Sequence, residues 1–168
     1  MQDDREHLIA CIPRLRRYAR ALVGDRTRAD DLVQDTMERG WKKLASWQRG
    51  SDMRAWLFGI MHNLHVDQVR RPSIQTEVLD EDSLHPSVRE SHVGNLEMRD
   101  LESALHALPA EQREILLLVA LEEMSYDEVA ATLGLPIGTV MSRLSRARQK
   151  MRALMEGRPL VSQLKVVK

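Results

Sequence analysis

A helical hydrophobic period runs through both ends of this chain and breaks off in the middle, between residues 73 and 96. That segment carries Pro86, Gly94, four serines and the acidic run Asp80-Glu81-Asp82, and no apolar spacing persists through it. It predicts a linker whose 24 residues reach about 80 Å when extended. The flanking blocks, 1–72 and 97–168, are each small enough to bury only a modest core alone. The expectation is an all-α chain of two small helical domains, joined by a flexible linker and moving independently when free.

Within the first block, Leu8, Ile12, Leu15, Ala19, Leu22 and Val23 fall on one helical stripe, closed by Gly24-Asp25. A second stripe runs from Ala29 through Leu32, Val33, Thr36, Met37, Gly40 and Trp41 to Leu44. After a loop, Trp56, Leu57, Ile60, Leu64 and Val69 resume the period until Pro72. Trp41 and Trp56 continue apolar stripes, so both are expected in the core, and core packing is also favoured for Trp47. In the second block, Leu101, Ala104, Leu105 and Leu108 form a short amphipathic pattern. Pro109 marks the next helix start, Ser125 to Glu128 has capping-box spacing, and Gly134 can close the helix that follows. A last helix is expected from Pro136 to Met155.

With 43% hydrophobic and 30% charged residues, the composition argues against disorder. Few aromatics and many Ala, Leu, Arg and Glu favour helix over sheet. No apolar run approaches the roughly 20 residues of a membrane span. Met1 to Glu6 is polar and acidic, against a secretory signal. Cys11 is the only cysteine, which excludes an intramolecular disulfide and a cysteine-built zinc site. A cytoplasmic protein is expected.

The net charge is zero, but its distribution is uneven. Residues 1–72 carry a net +4, 73–96 a net −4, 97–134 a net −7 and 135–168 a net +7. Such blocks suggest separate surfaces for separate partners. The switch from −7 to +7 coincides with a helix-turn-helix spacing: small Ala130, Gly134 four residues on, and apolar Val140 six residues further. Arg143, Arg146, Arg148, Lys150 and Arg152 then make the second helix strongly basic. Arginines on one face can reach guanine edges while their neighbours hold phosphates. A helical hairpin with a solvated basic face is the alternative.

Three stretches of the second block resemble region 4 of the extracytoplasmic-function sigma factors: Leu108 to Leu116 (LPAEQREIL), Ser125 to Ala130 (SYDEVA) and Gly138 to Arg148 (GTVMSRLSRAR). The first block resembles region 2 of the same family through Ala29 to Thr36 (ADDLVQDT), Trp41, and Trp56 to Arg71 (WLFGIMHNLHVDQVRR). The resemblance implies a factor that binds core RNA polymerase and directs it to promoter DNA. The first domain would open and read the −10 element, and the second would bind the −35 element. An anti-sigma factor is the usual further partner.

Carried over by position, Asp31, Gln34, Asp35 and Glu38 would face the polymerase. Their i, i+3, i+4, i+7 spacing puts them on one helix face, able to pair with arginines; by spacing alone a solvated polar face is the favoured reading. Trp47, Gln48, Arg49, Gly50, Ser51 and Asp52 correspond to the loop that captures a flipped −10 base. Asn63 lies near the −10 strand, and Arg70 and Arg71 would hold phosphates. For the −35 element the candidates are Thr139, Ser142, Arg143, Arg146, Arg148 and Lys150. Many relatives carry Arg or Lys at the Met141 position, so one −35 contact is missing here.

A dedicated activator or repressor would account for residues 97–168 but leaves the 31–38 face and the 47–52 loop without purpose. For a hydrolase or metalloenzyme, no P-loop, nucleophile elbow, Cys/His cluster or paired-carboxylate loop is present. His62 and His65 are spaced for a metal but lack a third ligand nearby. No catalytic residue, cofactor, metal, small-molecule substrate or membrane insertion is expected.

Overall fold

The computed structural model describes residues 2–71 and 94–157, with backbone alone for 94–96. The helices are α1 (Gln2–Ala10), α2 (Ile12–Val23), α3 (Arg26–Lys43), α4 (Met53–Arg70), α5 (Gly94–Ala107), α6 (Ala110–Ala120), α7 (Tyr126–Leu133) and α8 (Ile137–Met155), with a 3-10 turn at Leu44–Ser46. No strand occurs among the described residues. The chain is all-α, as its periodicity predicts. Most of the expected linker lies outside the described residues, and α5 begins at Gly94, ahead of the expected boundary at 97.

The stripe from Leu8 to Val23 does not form one helix. Pro13 sits in the first turn of α2 and has no N–H to continue a helix from α1, so the chain breaks at Cys11 and restarts. Gly24 then closes α2 with φ 78°, a left-handed conformation that favours glycine. The α1–α4 unit buries Leu8, Leu15, Leu22, Leu32, Leu57 and Met61 around an edge-to-face pair, Tyr18 and Phe58, whose ring centroids are 4.8 Å apart. Gly40 lets α3 approach α4; a Cβ there would lie 2.8 Å from Leu57 Cδ2.

In the α5–α8 unit, Ser125 and Glu128 form the expected capping box, and Gly134 closes α7 at φ 64°. Val129, Leu133, Val140 and Leu144 are buried, so α7 and α8 pack as a helix-turn-helix.

The two units do not stand apart. α2 packs on α5 and α6, and α4 packs on α7. The buried residues of both units form one continuous apolar cluster. Independent movement was the sequence expectation. Neither unit's core is large, and each gains buried area by leaning on the other.

Candidate nucleic-acid interface

On α3, Asp31, Gln34, Asp35 and Glu38 are all exposed on the face opposite buried Ala29, Leu32, Val33, Thr36 and Gly40. Asp25 caps the helix by accepting from Arg28 N at 2.8 Å. Glu38 pairs with Lys42 one turn on, and that hydrogen bond lowers its carboxyl below the usual range. Trp41 was expected in the core; it is 45% exposed, with the Arg5 guanidinium 5.0 Å from its ring centre. It lies three residues after Glu38 and so extends the acidic stripe with an aromatic surface. Trp56 is partly buried against the core.

The 47–52 loop is a structured turn. Ser51 donates to Gln48 O through both its N–H (3.1 Å) and its hydroxyl (2.7 Å), and Gly50 has φ 93°. Asp52 caps α4, its Oδ1 accepting from Arg54 N and Ala55 N. Arg49 reaches back to Asp4 Oδ2 at 3.1 Å. Trp47 is half-buried against the core, and its indole Nε1 is enclosed with no acceptor among the described residues. Hydroxyl and carboxylate in this loop therefore shape the turn, and Gln48 remains the side chain presented from an exposed position with no such task. Asn63, Arg70 and Arg71 are exposed along and just past α4.

On α8, Ser142, Arg146 and Arg148 are exposed, while Thr139, Arg143 and Lys150 are half-buried. Arg143 lies 3.6 Å from Glu111. Ser142 donates to Thr139 O, and Arg148 donates to the Tyr126 hydroxyl at 3.3 Å. Arg148 also lines a cleft of about 1090 Å³ between the two units, and Arg143 is not among its lining residues. Leu101, Leu105 and Leu116 contribute its apolar lining, and Arg16, Arg20 and Arg152 lie along it. Met141 is 51% exposed on the same helix.

Polar groups join the units. Arg113 of α6 donates to Leu22 O (2.9 Å) at the end of α2, and to Leu105 O, His106 O and Leu108 O where α5 ends. One guanidinium thus satisfies orphan carbonyls from two helix ends. His62 of α4 meets buried Glu114 of α6 at 2.6 Å. This partner accounts for His62, and no group of three or more potential metal ligands occurs among the described residues. Burial lowers His65, against the opposing pull of Glu114, and burial followed by Arg113 lowers His106. Glu122, in the turn after α6, is 1% exposed and faces Arg14, Arg17 and Arg54. Sequence reading missed these residues. Their partners on the other unit lie more than 50 positions away, and no spacing rule connects them.

No described helix is long and apolar enough to cross a membrane. Residues 8–62 match the family model for the sigma2 domain of PhyR, and residues 98–151 match the model for sigma-70, region 4. The chain is 40% identical over 154 residues to the ECF RNA polymerase sigma factor EcfG of Rhodopseudomonas palustris, covering 90% of this chain and 84% of that one. It is similar to the sigma factor RpoE from Bartonella quintana, solved in complex with the anti-sigma factor NepR. There the identity is 36% and the TM-score 0.77, over 93% of this chain and 98% of that one. It is also similar to CnrH, solved with the cytosolic domain of CnrY, at 32% identity and TM-score 0.62 over 85% of this chain and 80% of that one. With two family models matched in order and such relatives covered over most of their length, this chain belongs to the extracytoplasmic-function RNA polymerase sigma factors.

Proposed function

We infer that this sigma factor docks core polymerase through the α3 face of Asp31, Gln34, Asp35 and Glu38, extended by Trp41. The observation that carries this is the arrangement of α3: four polar side chains fully outward on a helix whose other face is closed core. The loop 47–52, with Asn63, Arg70 and Arg71, takes the −10 strand. The α8 residues Thr139, Ser142, Arg143 and Arg146 take the −35 duplex, with Lys150 on phosphate. Arg148 is assigned instead to the cleft. The protein acts by binding, with no chemistry of its own, in the cytoplasm where polymerase works. An anti-sigma factor is the third partner, as for the relative held by NepR. An acidic amphipathic segment would complement the arginine-lined cleft.

The closed arrangement cannot do this work unaltered. The two elements lie about 25 base pairs apart by name, or about 85 Å of B-form DNA. A compact chain of this length has a radius of gyration of about 15 Å. The units must separate before both elements are touched at once.

Asp35→Arg tests the polymerase face. Association with core polymerase and promoter-dependent transcription should both fall by at least tenfold, with the thermal midpoint unchanged. Undiminished core affinity would remove the α3 assignment.

A further inference from the structure

The turn between α6 and α7 places a carboxylate where the mechanism above has no use for one. Glu123 holds φ 56°, the only non-glycine positive φ among the described residues, and it directly follows Glu122. The Glu122 side chain is wholly enclosed, with 0% exposure. Enclosing a carboxylate costs several kcal/mol unless cations compensate it, and here all the compensating cations belong to the other unit. Arg17 donates to Glu122 Oε1 at 3.3 Å and to Leu121 O at 3.1 Å. Arg54 donates to Glu122 O at 2.8 Å. Arg14 lies 4.0 Å from Oε2, and that oxygen accepts no hydrogen bond.

Two guanidiniums from α2 thus face a carboxylate that underfills them, while Arg54 of α4 holds the same residue by its backbone carbonyl. Arg54 reaches in the other direction too, donating to Asp52 Oδ2 at 3.3 Å, at the base of the 47–52 loop. When the units separate, Glu122 leaves with α6 and α7. The three arginines remain beside the loop; Arg54 keeps its pair with Asp52, and Arg14 and Arg17 lose the Glu122 carboxylate.

We propose that Arg14, Arg17 and Arg54 form a phosphate-binding socket for the DNA strand read by the 47–52 loop, and that Glu122 occupies this socket in the closed chain. A phosphodiester presents to guanidinium forks two non-bridging oxygens that share one negative charge, and a strand can place them where the tethered Glu122 side chain does not reach. It can engage Arg14, which Glu122 reaches only at ion-pair distance. Domain opening and strand binding are then competitive. The free protein holds its own anion, and the strand replaces it once polymerase has drawn the units apart. The proposal rests on promoter DNA being the ligand of the first unit.

The test is binding of the full chain to a short fluorescent single-stranded oligonucleotide at several salt concentrations. Glu122→Gln keeps the shape of the side chain and removes its charge; it should tighten binding about tenfold. Adding Arg17→Ala to that variant should reverse most of the gain and reduce the salt slope by about 0.7, one single-strand phosphate. No gain from Glu122→Gln overturns the occupation of the socket. A gain that survives Arg17→Ala with the slope intact overturns the socket itself, since another surface was then uncovered. Should Glu122→Gln lose its helical melt, the slopes of the parent, Arg17→Ala and Arg54→Ala decide the same question, equal slopes counting against it. Transcription by the parent protein with core polymerase reads the sigma assignment separately.

Discussion

The two units bury different things. The α1–α4 unit closes around Phe58, Tyr18, Met61 and several leucines, and Thr36, its one fully buried polar residue among those described, donates its hydroxyl to Leu32 O at 2.7 Å. The α5–α8 unit buries no aromatic side chain among its described residues, and it buries two carboxylates, Glu114 and Glu122. Both carboxylates meet cationic or imidazole partners on the other unit. An apolar face parted from its partner meets water at about 25 cal/mol for each Å² uncovered. A carboxylate parted from arginine regains hydration, which offsets much of the lost pairing. The first unit is closed almost wholly by apolar burial, whereas the contact between the units combines apolar packing with these paired carboxylates.

The largest effect should come from the centre of the first unit. Phe58→Ala should cost about 3–5 kcal/mol. All three tryptophans, Trp41, Trp47 and Trp56, lie in that unit, so their fluorescence follows its unfolding alone. In urea the fluorescence transition should move to much lower denaturant than the residual helix signal of α5–α8. Coincident transitions would mean that the interface couples both units into one cooperative fold, and the contrast between them would fail.

Gly24→Ala probes the seam. A Cβ there would lie 2.4 Å from the His106 imidazole, and φ 78° is unfavourable for alanine. The backbone term alone costs about 1 kcal/mol, and the imidazole must move. A fluorophore pair spanning the two units should report a longer mean distance at little loss of helix. An unchanged distance would show that His106 swings aside and that this contact contributes nothing to closure.

The smallest effect is with pH. His65 and His106 both titrate lower in the folded chain than their ordinary value of 6.5, each chiefly through burial. Their contribution to stability is fully present above that value and is lost as pH falls below it, because the unfolded chain then binds more protons. The thermal midpoint should decline between pH 7 and pH 5.5. Replacing both with Gln should flatten that limb; a decline of equal slope in the double variant would assign it to other groups.

Much of this molecule was legible in its residues. Helical periods fixed the elements, because a helix's own i, i+3, i+4 spacing decides which face it buries. Gly24, Pro109, the Ser125–Glu128 box and Gly134 marked ends correctly, since capping is local chemistry. The outward face at 31–38 followed from the same spacing. Pro13 was the local signal overlooked, and it split the first stripe into two helices.

Only the tertiary structure decided how the two units meet. Trp41 continues an apolar stripe yet faces outward, because Gly40 beside it is the residue α4 packs upon. Arg148 reads as one more basic residue of the last helix, and only the packing of the two units puts it along a cleft between them. Glu122 counts only as part of the acidic 97–134 block in the sequence, and the structure encloses it beside arginines more than 65 positions distant. Periodicity assigns each residue to a face of its own helix. It carries no information on which distant face will cover it, since that depends on the shape and charge of surfaces that exist only once both units have folded.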